Sequence, residues 1–204
     1  FEASQDEDAE VRVALQQDGS SWSYEGTRSQ EIAAKEPTMN LGWLNPHSPL
    51  SDLESVVLHE FGHVLGLAHE HNNPSGQIPW DRKKVIASMT GAPNFWAREH
   101  VEQNFFSTWP TDRFPFAKPF DPLSIMAYWF PPEYTKGGEM FGRNLALSAG
   151  DKEFISRLYP YPSLVASASR PVSVNARGTY LNQVFMGMFR PDDEGKPRWR
   201  GIPG

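Results

Sequence analysis

Residues 59–71 read His59-Glu60-Phe61-Gly62-His63-Val64-Leu65-Gly66-Leu67-Ala68-His69-Glu70-His71, and no other stretch restricts the fold so strongly. Four residues advance an α-helix by about 400°, so His59 and His63 share one face and reach one metal ion. Glu60 lies about 100° further round. That is too far to share the ligand position and near enough to meet a water at the metal. Gly66 enters left-handed conformations without a Cβ penalty, so the helix can end there and the backbone can turn. The turn brings His69 back as a third ligand. Three protein ligands with one open position is the plan of a catalytic zinc site holding one ion. Copper or nickel would suit the same nitrogens.

The chain has 204 residues, which predicts one domain, with room for an appendage and a sizeable core. Aromatic residues make up 13%, which argues against disorder. The net charge of −6 leaves no basic face to recruit nucleic acid and no cluster to dock an anionic membrane, so neither is expected as a partner. There is no cysteine, which excludes a thiolate mechanism, a CxxC zinc site and any disulfide. No apolar run is long enough to span a membrane, and no signal peptide opens the chain.

Alternation over Glu10 to Leu15 predicts a half-buried strand with Val11, Val13 and Leu15 on one side. Ser20 to Tyr24 reads as a second strand and Thr38 to Leu44 as a third. Ser51-Asp52-Leu53-Glu54 fits a capping box opening a helix over about 52–65, with Leu53, Val56, Val57, Phe61 and Val64 on its apolar face. A short helix is expected over Trp80 to Met89, and Asn94 is placed to cap another through Phe106. Residues 107–123 read as irregular. Ser148-Ala149-Gly150-Asp151 is a second capping box, opening a helix that Pro160 ends. Beyond it, Val172, Val174 and Tyr180 to Phe185 have strand character, and Arg190 to Gly204 reads as loosely docked.

The pattern H-E-x-x-H-x-x-G-x-x-H at His59–His69 resembles the metzincin clan of zinc peptidases, and Glu70 directly after the third histidine resembles the astacin family within it. The resemblance implies an α+β fold: a metzincin-like zincin domain, with a small twisted sheet, an active-site helix and a C-terminal subdomain of irregular structure and helices. Its bounds would be 1–162, divided into an N-terminal subdomain at 1–70 and a C-terminal one at 71–162, with an extension at 163–204. Such domains usually open with a strand and a long helix beneath the sheet. The first strand here arrives by residue 10, which predicts a domain without that helix.

The same resemblance assigns roles. Zn²⁺ is the cofactor, held by His59, His63 and His69, and Glu60 is the general base. Ser124-Ile125-Met126-Ala127-Tyr128 resembles the Met-turn, with Met126 as a hydrophobic floor beneath the histidines and Tyr128 as stabiliser of the oxyanion. Gly66 and Glu70 give structural support, and Asp121 is a candidate brace for the Met-turn. Met39, Asn40, Leu41, Gly42 and Trp43 would form the strand that pairs with substrate, and Trp129 and Phe130 a pocket wall. His71 and His100 are expected at the surface. The implied function is zinc-dependent, secreted endopeptidase action on a protein or peptide substrate. A matrixin-like peptidase explains Glu70 and Tyr128 less well. A catalytically silent zinc-bound module would have no need of Glu60 or Tyr128.

Overall fold

In the computed structural model of the chain, which describes residues 9–76, 78–92, 94–110, 118–141 and 143–160 with the backbone of 190–191 and 197–198, three short strands form one mixed sheet. They are β1 (Val13–Ala14), β2 (Ser21–Ser23) and β3 (Met39–Leu41), in the order β1-β3-β2. β1 runs parallel to β3, with Val13 opposite Met39, and β2 runs antiparallel to it, with Trp22 opposite Asn40.

This order corrects the expected substrate-binding strand. Met39 and Asn40 are paired with a strand on each side, Leu41 is paired with β2, and all three are buried, so they offer no edge to a substrate. Asn40 turns inward: its Nδ2 donates to Gln16 O, Asp18 Oδ1 and Ser20 O at 3.1–3.2 Å, and its Oδ1 accepts from Gln16 N at 2.9 Å. Gly42 presses on the same 16–20 turn, where a Cβ would sit 2.3 Å from Gln16 O and 2.4 Å from Ser20 O. Trp43 donates its indole N–H to Gly19 O. All five residues therefore build the sheet and its turn. The antiparallel edge belongs to β2.

β1 is shorter than the alternation predicts, and Val13 and Leu15 are exposed. Its approach is held by the amides of Thr38 and Met39 donating to Arg12 O and by side-chain bonds. Arg12 N donates to Thr38 Oγ1 at 2.8 Å, and its guanidinium donates to the carbonyls of Ala9, Ile32, Ala33 and Glu36. Val11 alone of the predicted face packs inward.

Helix α1 (Leu50–Val64) follows and lays Leu53, Val56, Val57, Phe61 and Val64 against Met39, Leu41 and Leu44, as its periodicity predicts. The predicted capping box does not form. The helix begins two residues earlier, after Pro49, so Ser51 lies within the first turn and cannot cap it. Asp52 in that turn complements the helix dipole and pairs with Arg143 at 2.8 Å.

The second half is helical. In α2 (Arg82–Thr90) the Asp81 side chain caps the Lys84 amide, and α3 (Arg98–Phe106) packs across it. Asn94 does not cap α3, which starts after Ala97; its Nδ2 donates to Ser88 O instead. Val85, Met89, Val101 and Phe105 form a core with Tyr128, Phe130 and Tyr134. Helix α4 (Ala149–Leu158) carries the predicted capping box between Ser148 and Asp151, and Phe154 and Ile155 pack toward Leu67, Ile125 and Met126.

The small sheet and helices match the expected α+β zincin-like class. Among the described residues no helix is long and apolar enough to cross a membrane. In the predicted extension, the backbone of β4 (Arg190–Pro191) pairs antiparallel with β5 (Pro197–Arg198). The strands expected at 172–174 and 180–185 lie outside the described residues, as do 111–117 of the predicted irregular stretch.

Candidate metal centre and active site

Helix α1 places His59 and His63 one turn apart, and the chain then reverses. Gly66 takes φ +90°, a left-handed conformation that costs any other residue more, while Leu67 N bonds back to Gly62 O at 3.0 Å. The reversal delivers His69, and the three Nε2 atoms lie 3.2–3.3 Å apart. A tetrahedral zinc ion with nitrogens at about 2.0–2.1 Å requires them roughly 3.3–3.4 Å apart, so the triangle already has the right size.

The rest of each ring's chemistry agrees. His59 Nδ1–H donates to Ile125 O and His63 Nδ1–H to Leu67 O, both at 2.8 Å. Since a carbonyl only accepts, each proton sits on Nδ1 and each Nε2 presents a bare lone pair to the centre. Burial holds the rings neutral: it pushes His59 down to about 4 and His63 and His69 well below the usual histidine range. The bare lone pairs of His59 and His63 converge with His69 Nε2 on one point, where a cation would relieve their repulsion. These residues fit a metal ion.

Glu60 is fully buried, and neither carboxylate oxygen has a hydrogen-bond partner among the described residues. Burial pushes its carboxyl well above the ordinary carboxylate range. A buried, unpartnered acid is costly, on the order of 1–3 kcal/mol or more, and no packing need explains it. Tyr128 completes the rim. Its ring centroid lies 4.3 Å from His69 and 6.3 Å from His59, and burial with the nearby Glu60 charge raises its phenol well above 10.

His71 corrects a sequence expectation. It is 4% exposed, not a surface residue, and burial pushes it down to about 4. His100 is exposed, as expected.

The floor of the site is the turn at 124–128. Met126 is buried against α1 at Gly62, where a Cβ would lie 2.6 Å from Met126 Sδ. Alanine in a helix normally gains about 1 kcal/mol over glycine, but the overpacking costs roughly 1–3 kcal/mol. Gly62→Ala should therefore lower the thermal midpoint by about 2–4 °C per net kcal/mol lost. A calorimetric midpoint above the parent's would show that Met126 yields freely.

The turn is braced from α4. Asp151, 4% exposed, accepts from Ser124 Oγ at 2.6 Å and from the amides of Ile125 and Ser148 at 2.9 Å. The Ile125 carbonyl is the one that fixes His59, so two bonds connect the α4 cap to a metal ligand. Asp121 holds the start of the turn, with Oδ1 accepting from Leu123 N and Oδ2 from Ser148 Oγ. Glu70 Oε1 accepts from Asp121 N at 2.8 Å and Asn73 Nδ2 at 2.9 Å. A cavity of about 320 Å³ lies beside Leu67, Met126, Glu70, Asp121 and Phe154. His69 lines it too, while Glu60 and Tyr128 do not.

Of the predicted pocket wall, Phe130 is 1% exposed and packs edge-on against Trp80 at 4.7 Å, which makes it core. Trp129 is half-buried beside the same core and remains available to a wall.

Sequence reasoning missed three positions: Gly62, Asp151 as more than a cap, and His71 as a buried ring. The capping-box spacing was the only signal for Asp151. Gly62 had one too, a helix-interior glycine, which usually marks a close approach.

The matrixin family profile matches residues 4–86, a span that holds His59, Glu60, His63 and His69 and ends before Met126 and Tyr128. Two solved structures, both of myroilysin, are similar to the chain. One is 38% identical with a TM-score of 0.71, covering 79% of this chain and 76% of that one. The other is 35% identical with a TM-score of 0.54, covering 79% and 69%. Comparison with curated proteins gives no match.

Proposed function

We propose an activity from a fixed premise: this chain belongs to the metzincin-type zinc metallopeptidases, the family of its structural relative myroilysin. The activity is endopeptidase action, hydrolysis of internal peptide bonds in a protein or peptide substrate outside the cell. The observation that carries it is Glu60, a buried carboxylate without a partner beside three converged imidazoles.

His59, His63 and His69 would hold the ion. Zinc, when bound, supplies Lewis acidity that polarises a carbonyl and acidifies water. Glu60 takes a proton from the attacking water as its oxygen bonds to the scissile carbonyl carbon, and returns that proton to the amine as the C–N bond breaks. Its raised proton affinity suits the exchange. Tyr128 donates its phenol O–H to the charge developing on the carbonyl oxygen.

The outer edge of β2 is the place for an extended substrate. Ser20 and Tyr24 bond inward, Ser20 O to Gly42 N and Tyr24 N to Thr38 O at 3.0 Å. Alternation along an antiparallel strand then turns the peptide groups of Ser21 and Ser23 away from β3, the side on which a substrate would add as a fourth strand, although both residues are buried. Trp22 between them packs toward the core that holds Tyr128.

The matrixin match through the three histidines favours a matrixin-like placement over the astacin-like one, which rests on Glu70 and Tyr128. A test is cleavage of a peptide library by the full chain. We expect cleavage that a zinc chelator abolishes and added zinc restores. Zinc binding without any cleavage would leave a silent module.

A further inference from the structure

We propose that His71 is the positioning residue that aims Tyr128, with its own ring tethered to the last turn of α3. The proposal rests on the reading of Tyr128 as an oxyanion donor.

His71 is the second residue after the ligand His69, on a single 3-10 turn over Glu70–Asn72. Its ring lies 4.4 Å from that of Tyr128 at 31°, 5.0 Å from that of His69 at 22°, and 5.5 Å from Phe130 edge-on. It is therefore packed against both a metal ligand and the phenol, which also touch each other at 4.3 Å. Its Nε2 lies 2.9 Å from Asn104 O, so Nε2 carries the proton and the tether fixes the ring's rotation. Asn72 ties the same turn down, donating to Asn104 O at 3.3 Å and Ser107 O at 2.8 Å.

Stability does not explain an imidazole here. With its proton on Nε2, His71 leaves Nδ1 as a buried acceptor with no donor among the described residues. A phenylalanine would fill the same space without an orphaned lone pair. It would also leave no orphan behind, because Asn104 O keeps its bond from Asn72. What phenylalanine lacks is the tether. Without it the ring slides between its neighbours, and Tyr128 slides with it. Misplacing a reacting group by about 1 Å costs on the order of 100-fold in rate, so an aimed ring outweighs a small cost in stability.

The test compares His71→Phe, Tyr128→Phe and the double variant in the zinc-loaded chain. It measures kcat, KM, zinc content and thermal midpoint. His71→Phe is expected to keep zinc, KM and a midpoint at or above the parent's while kcat falls roughly 10- to 100-fold. In the Tyr128→Phe background the same change is expected to cost little further, since the two act through one group. His71→Ala serves as a check that loss of ring volume lowers the midpoint as well.

Parental kcat in His71→Phe overturns the proposal. So does a full, multiplicative loss in the double variant, which would mean that His71 acts apart from Tyr128. If Tyr128→Phe alone keeps parental kcat, the oxyanion reading falls and takes the proposal with it. That outcome is visible in the single variant, so the two failures are told apart.

Discussion

In Glu60→Gln, peptide hydrolysis is expected to fall by about 10²–10⁴-fold, the range a positioned general base supplies, while zinc content stays at one ion per chain. The amide matches the carboxylate in shape and keeps the helix but cannot shuttle a proton. The stability readout separates this role from a structural one. Glu60 is buried and its oxygens have no partner, so the parent carries an uncompensated ionisable group. Replacing it with a neutral isostere removes that cost. The metal-free variant should therefore melt at or above the parent's midpoint. Retained turnover in Glu60→Gln would remove Glu60 from the reaction. A lower midpoint would mean that the carboxylate supports the fold.

The second large effect is expected at Asp151, far from the motif in sequence. Asp151→Ala leaves two buried amides, of Ile125 and Ser148, and the Ser124 hydroxyl without their acceptor. At about 1–3 kcal/mol for each orphaned group, the loss is on the order of 3–5 kcal/mol and the midpoint falls by roughly 10 °C. Because the Ile125 peptide also orients His59, zinc should become easier to strip as well. Competition with a chelator, followed by metal analysis, measures this directly. Asp151→Asn keeps an acceptor oxygen and should fall between the two. If Asp151→Ala melts within one degree of the parent and holds zinc as tightly, the α4 brace has no role in the metal site.

Both predictions concern the same centre, yet they were not equally legible. Glu60 follows from helical periodicity and from its place beside His59. The same holds for the ligands and for Gly66, whose reversal is observed at φ +90°. These contacts span a few residues, and local geometry controls them. The apolar face of α1 and the Ser148 box were legible for the same reason. Local signals failed where a neighbour competed. Ser51 lost its cap because Pro49 starts the helix earlier, and Asn94 reached Ser88 instead of opening α3.

What the chain could not show by itself was which strand lies where. Thr38 to Leu44 reads equally well as a central or an edge strand, because period-2 alternation reports burial and not neighbours. Only the pairing of β1 and β2 on its two sides made β3 central and gave the edge to β2. The same limit hid Phe130 in the core, His71 against His69 and Tyr128, and Gly62 against Met126. Each depends on a contact between residues distant in sequence, or on two rings that only the folded turn brings together. The convergence of His59, His63 and His69, the place of Glu60 beside them and the reversal at Gly66 were legible in the chain's spacing, because a helix repeats every 3.6 residues. Only the tertiary structure showed the Asp151 brace on the 124–128 turn, the His71 ring against Tyr128 and the outer position of β2. Those features depend on packing across the chain, which no spacing encodes.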